Sequence, residues 1–141
     1  MSDTSTTQPL SSPAPDAAVH AALDRLNTVI DRLIAPDGCP WDSTQTPESL
    51  TEYVIEECHE LVDAIRSGKT ADMVEELGDV AFLLVMIGKL MARAGGPSLA
   101  DALEVETAKM VRRHPHVLGD TTYGCQSEQL KDWDRIKREE K

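Results

Sequence analysis

Residues 47–80 read PESLTEYVIEECHELVDAIRSGKTADMVEELGDV, and the organisation of the chain follows from how this stretch folds. Thr46 followed by Pro47 is a helix start: a capping hydroxyl, then proline at the first helical position. Leu50, Val54, Cys58, Leu61 and Ile65 recur at helical spacing, so a helix is expected over about 47–66 with these residues inward. Ser67-Gly68 ends it, and Thr70 is placed to cap the next helix, about 71–94. So short a connection makes the two helices an antiparallel hairpin. The first carries Glu57-x-x-Glu60 and the second Glu76-x-x-Asp79. Residues three apart share a helix face. The midpoint of 60 and 76 is 68, and so is that of 57 and 79. Folding at Gly68 therefore sets Glu60 level with Glu76, and Glu57 level with Asp79, in one layer.

Four converging carboxylates raise each other's pKa unless cations neutralise them. Hard divalent ions with oxygen ligands do so, and Mg²⁺ is the usual choice where phosphate oxygens complete the shell. Either pair alone reads as a solvated acidic face. The shared midpoint, and the lack of Lys or Arg at i,i+4 to pair with them, favour a metal site built from Glu57, Glu60, Glu76 and Asp79. Glu56 stands beside the first pair as a further ligand, a base orienting water, or an exposed side chain. Gly78, inside the second helix, costs about 1 kcal/mol relative to alanine and suggests close approach of another group.

Outward from the hairpin, a helix over about 17–34 is marked by Val19, Leu23, Leu26, Ile30, Leu33 and Ile34, and stops at Pro36-Asp37-Gly38. Residues 35–46 form a loop. Gly95-Gly96-Pro97 ends the second hairpin helix, and Ser98 caps another over about 99–113. His114-Pro115 breaks that one, because the residue before proline is pushed out of helical geometry. After a loop, Ser127 caps a last helix, about 128–140. The fold class is all-α, a bundle of four to five helices. Residues 1–16, rich in Ser, Thr and Pro, are expected to be a disordered tail. The run Val80–Ile87 is apolar all round, as in a helix surrounded by protein. So few helices cannot cover it on every side, and a dimer or larger oligomer is expected.

The 141 residues suit one domain. Aromatics are only 4%, so the core must be aliphatic. The net charge of −11 repels a phosphate backbone and excludes nucleic-acid binding. Ten acids against Arg66 and Lys69 in residues 47–80 supply most of that excess. The three cysteines lack Cys-x-x-Cys spacing, so neither a disulfide framework nor a cysteine zinc site is expected. The first residues show no secretory signal, and the longest apolar run is about half of the roughly 20 residues a membrane span needs. The expected location is the cytoplasm, with no membrane partner.

Lys109, Arg112 and Arg113 form the one dense basic group, either phosphate-binding charge or charge favoured at a helix C-terminus. His114 and His116 read as loop or capping residues, since no zinc-like partner is spaced from them. Trp41 and Trp133 each read as packing or as a base-stacking surface. Walker, Rossmann and Ser/His/Asp patterns are absent, so the chemistry rests on the carboxylates.

Cys39-Pro40-Trp41-Asp42, Gln45-Thr46, Glu56-Glu57-Cys58-His59-Glu60, Glu75-Glu76-Leu77-Gly78-Asp79 and Arg112-Arg113-His114-Pro115-His116-Val117, in that order, strongly resemble the MazG family of nucleoside triphosphate pyrophosphohydrolases. The resemblance spans about 20–139 and makes 17–141 a MazG-like domain. It implies an all-α fold completed by dimerisation, a homodimer or higher oligomer. It further implies Mg²⁺, with Mn²⁺ as a substitute, and hydrolysis of standard or damaged NTPs and dNTPs to monophosphate and pyrophosphate. The family's metal ligands match Glu57, Glu60, Glu76 and Asp79, and Glu56 joins them as a catalytic candidate. Its nucleotide-binding residues match Lys109, Arg112, Arg113, Trp133 and Lys137. Leu118 stands where the family often has Phe. Many relatives hold two such domains, and this chain has room for one. The rival readings are a ferritin-like di-metal protein, from Glu56-x-x-His59, an acidic helical interaction module without turnover, and a pyrophosphatase of this fold for another nucleotide derivative.

Overall fold

The computed structural model describes the backbone of residues 14–141 and the side chains of 17–141. Residues 1–13 of the expected tail lie outside the described residues, while 14–16 already belong to the first helix. The described residues form six α-helices and no strand: α1 (Ala14–Ile34), α2 (Thr51–Ser67), α3 (Thr70–Arg93), α4 (Leu99–Arg113), α5 (Pro115–Leu118) and α6 (Gln126–Glu139). Two compact units divide near the end of α3, between Leu90 and Met91.

In the first unit, α1 ends where the Gly38 N–H donates to the Ala35 carbonyl at 2.8 Å and the Cys39 N–H to that of Leu33 at 2.9 Å. A Cβ on residue 38 would lie 2.4 Å from the carbonyl oxygens of Arg32 and Leu33, so only glycine fits this turn. A 3₁₀ turn, Asp42–Thr44, then packs on α1 and buries Asp42. Thr46 and Ser49 cap each other: the Ser49 N–H donates to Thr46 Oγ1 at 3.2 Å, and the Thr46 N–H to Ser49 Oγ at 2.9 Å. The helix expected from Pro47 begins instead as a 3₁₀ turn, Glu48–Leu50, tightened by these bonds, and becomes α-helical at Thr51. Gly68 closes α2 in the left-handed conformation, φ 70°, which an L side chain adopts only at a cost.

The core of this unit is aliphatic. Ile30, Leu50 and Met86 are fully buried, joined by Ile34, Ala64, Leu83, Val85 and Leu90. The inward face of α2 is rotated from the expected one: Val54, Glu57, Leu61 and Ala64 are turned in, while Cys58 and Ile65 are exposed. The two stripes share Val54 and Leu61 and both alternate steps of three and four, as 3.6 residues per turn allows. Which of them packs inward is set by the helices facing α2. Along the apolar run of α3, Leu84 is 50% exposed, in keeping with the expectation that so few helices cannot cover the run on every side.

In the second unit, α4 opens on a capping box. Ser98 N–H donates to the Asp101 carboxylate at 2.7 Å, and the Ser98 side chain caps the third helical residue. His114 leaves helical geometry (φ −122°, ψ 54°), which ends α4 as expected. The loop expected next is instead the one-turn helix α5. Pro115 starts it, since its missing N–H is one a first turn leaves unbonded anyway. The last helix starts at Gln126, ahead of the expected Ser127 cap, with Cys125 at the N-cap position; Glu128 in its first turn ties the preceding loop down by accepting the Gly124 N–H at 2.8 Å. Helix α6 packs on α4 and buries Ile136. The three cysteines are free thiols.

Candidate active site

The stripe of α2 that faces the core runs Val54, Glu57, Leu61, Ala64, and that of α3 runs Met73, Glu76, Val80, Leu83. Each hairpin helix thus places one carboxylate at a position its period reserves for an apolar residue. Charged groups are expensive there unless something pairs with them. Glu60 and Asp79, one turn along each helix, flank these two at the exposed margin.

Oxygens of Glu57, Glu76 and Asp79 lie within 4.8 Å of one another. Glu60 stands close enough to both Glu57 and Glu76 for its charge to raise their carboxyl groups. All four expected ligands are therefore brought together. Burial, then the charge of Glu60 and its hydrogen bond, push the Glu76 carboxyl up to about 7. Burial, followed by the charges of Glu60, Asp79 and Glu56, raises Glu57 as well. One oxygen of Glu57 and one of Glu76 are buried without any hydrogen-bond partner. Glu56 itself is exposed.

Next to the cluster, a cavity of about 300 Å³ is lined by Glu60, Asp63, Ala64, Ser67, Asp72 and Glu76. Asp63 and Asp72 were missed in the sequence. Their midpoint, 67.5, nearly repeats the fold-back pattern and would have found them. Gly78 does not meet the close approach expected of it, since nothing lies within 4 Å of where its Cβ would stand.

In the second unit the basic group is present, but each member is already paired. Lys109 forms an ion pair with Glu106, one turn away on α4. Arg112 Nε donates to Glu140 Oε1 at 2.8 Å, and Arg113 Nη2 to Glu140 Oε2 at 2.7 Å. The two guanidinium groups hold the Glu140 carboxyl down at about 2. Trp133 is half-buried. The His114 ring meets it edge-on, with centroids 4.9 Å apart, and Arg113 Cζ lies 5.7 Å from its ring centre. His114 Nδ1 donates to the Met110 carbonyl at 2.6 Å, which fits the capping role. His116 packs against Tyr123, and its Nδ1 is buried without a partner. Lys137 is exposed. Glu140 was not foreseen, because 27 residues separate it from Arg113 and no local spacing announces the pair.

Residues 45–118 match the MazG nucleotide pyrophosphohydrolase domain, which takes in the whole hairpin with its four carboxylates. The chain belongs to this family. It is 39% identical over 118 residues to the nucleoside triphosphate pyrophosphohydrolase/pyrophosphatase MazG of Thermotoga maritima, covering 84% of this chain and 45% of that protein. Against the nucleoside triphosphate pyrophosphohydrolase of Escherichia coli it is 38% identical, over 84% of this chain and 46% of the other. The Bacillus subtilis protein YabN is 41% identical over 81% of this chain, but that region is only 23% of its length. The chain thus spans half or less of these curated relatives. A MazG-related protein of Thermotoga maritima, seen in a crystal structure, has the same fold, with a TM-score of 0.69 at 26% identity over 82% of this chain and 98% of that one. The MazG match includes Lys109, Arg112 and Arg113 and stops before Trp133 and Lys137.

Proposed function

We propose that the chain hydrolyses nucleoside triphosphates, standard or damaged, to nucleoside monophosphate and pyrophosphate. The observation that carries this is the pair of unpartnered buried carboxylate oxygens, on Glu57 and Glu76, in the carboxylate cluster of a MazG-family hairpin. Buried polar atoms are almost always bonded. Two orphaned carboxylate oxygens, in a site with only oxygen donors, fit a hard divalent cation, Mg²⁺ with Mn²⁺ as substitute. Glu57, Glu60, Glu76 and Asp79 would hold it. Such an ion supplies charge neutralisation for the triphosphate and a lowered pKa for bound water.

The protein's own groups do the rest. Lys109, Arg112, Arg113 and Lys137 offset the phosphate charges, and Trp133 contacts the nucleotide. Glu56, exposed beside Glu57, orients the attacking water. Water oxygen bonds to the α-phosphorus, the bond from that phosphorus to the α,β-bridging oxygen breaks, and pyrophosphate leaves. The water's proton passes to a carboxylate and then to solvent. The chain acts as a homodimer or higher oligomer in the cytoplasm. Exposed apolar side chains on the hairpin support assembly: Val62 and Ile65 on α2, Val74, Leu77 and Leu84 on α3. Among the described residues no helix is long and apolar enough to cross a membrane.

The test incubates the protein with a panel of NTPs, dNTPs and oxidised nucleotides, in Mg²⁺, Mn²⁺ or EDTA, and separates the products by chromatography. Monophosphate plus pyrophosphate, lost in EDTA, is expected. Diphosphate plus orthophosphate would mean a different bond is cut. No turnover of any nucleotide would favour a binding module.

A further inference from the structure

The Glu140 carboxylate lies between two adjacent arginines. Its Oε2 accepts from Arg113 Nη2 at 2.7 Å and from Arg113 Nε at 3.2 Å, while its Oε1 accepts from Arg112 Nε at 2.8 Å. The Arg113 and Glu140 side chains are each only 16% exposed, against 53% for Arg112. The backbone of Glu140 is fixed too, its N–H bonded to the Ile136 carbonyl at 3.1 Å. Arg113 is thus held along one edge by a carboxylate, with the Trp133 ring beside it.

Which edge is held matters. A guanidinium has five N–H groups in a rigid fork. Glu140 takes the Nε and one Nη2 hydrogen of Arg113, leaving both Nη1 hydrogens and the second Nη2 hydrogen free of it. That remaining terminal edge still carries two parallel donors and can grip a phosphate bidentately while Glu140 stays in place. The shared carboxylate also lets two like charges stand side by side, since each arginine bonds to the same anion.

We propose that Glu140 is a positioning residue: it fixes the Arg113 guanidinium so that its terminal edge is presented to a substrate phosphate. This rests on the reading of Arg113 as a phosphate contact. Glu140 touches no reacting atom and acts through Arg113 alone.

The test compares Glu140→Gln, Glu140→Asp, Arg113→Ala and the double variant Arg113→Ala/Glu140→Gln. Each is measured for kcat and KM with a nucleoside triphosphate, and for Kd with its α,β-methylene analogue, which is not cleaved between those phosphates. Glutamine keeps the size but loses the charge and the second acceptor. It should raise KM and Kd about tenfold with kcat within about twofold, the pattern of lost ground-state binding. Aspartate, which keeps the charge, should recover most of the loss. The double variant should be no weaker than Arg113→Ala, because the two residues act as one unit. An unchanged or lowered KM in both Glu140 variants, while Arg113→Ala raises it, overturns the inference and leaves the role of Arg113 standing. No effect of Arg113→Ala overturns that role, and the inference with it. Should Glu140→Gln fail to fold by circular dichroism, Glu140→Asp carries the test: its shorter reach should leave KM and Kd raised about two- to threefold with kcat unchanged, and unchanged KM and Kd overturn the inference.

Discussion

Replacing Gly78 by alanine probes the centre of the hairpin, between Glu76 and Asp79. The added Cβ would stand on α3 with nothing within 4 Å, so it neither clashes nor packs. What remains is the backbone term. Alanine inside a helix is favoured over glycine by about 1 kcal/mol, chiefly because it has less conformational freedom to lose on folding. Unfolding entropy of roughly 2.1 cal/mol/K per residue, over 141 residues, is about 0.3 kcal/mol/K, so Gly78→Ala should raise Tm by about 3 °C. The assay is thermal unfolding followed by far-UV circular dichroism, in EDTA and without nucleotide. A lowered Tm would refute the reasoning: it would mean that another chain covers the surface over Gly78, and that the glycine is there to let it approach.

Gly38→Ala should act the other way. Its Cβ would lie 2.4 Å from two backbone oxygens that cannot move aside, so a loss of about 2 kcal/mol or more is expected, read as a lower midpoint in urea; an unchanged midpoint would mean the turn relaxes freely. Glu57→Gln and Asp79→Asn, which each remove one charge from the cluster, should cut turnover at least about a hundredfold while leaving the helical spectrum intact; near-normal rates in both would remove the carboxylates from the active site. The Glu140 carboxyl is held at about 2, against 4.5 for an ordinary glutamate. Its contribution to stability is therefore complete above about pH 4.5 and lost as pH falls from there toward 2. The Tm gap between the protein and Glu140→Gln should narrow between about pH 5 and pH 3, and a constant gap would show that the ion pair contributes nothing.

The hairpin was legible because its signals are local. Gly68 marks a turn that needs positive φ, and reflection of the chain about it brings Glu57, Glu76 and Asp79 together. Helix α4 was legible for the same reason: Ser98 and Asp101 form its cap, and Pro115 dictates its end. Where the reading slipped, it slipped by a fraction of a turn. Cys58 and Ile65 each stand one residue past the true stripe, which passes through Glu57 and Ala64. Period alone does not say which of two neighbouring stripes packs inward. That depends on the helices facing it, and an inward glutamate looks wrong until its partners are known.

The sequence by itself determined the all-α class, the breaks between helices, the hairpin and the approach of Glu57, Glu76 and Asp79 across it. Each of these depends on residues close in the chain or on one turn that reflects two helices onto each other. Only the tertiary structure decided that Glu57 and Glu76 keep buried oxygens without partners, that the space over Gly78 is open, and that Glu140 holds Arg112 and Arg113. Burial and long-range pairing depend on distance in space, and side chains 27 residues apart meet only once the intervening helices have packed.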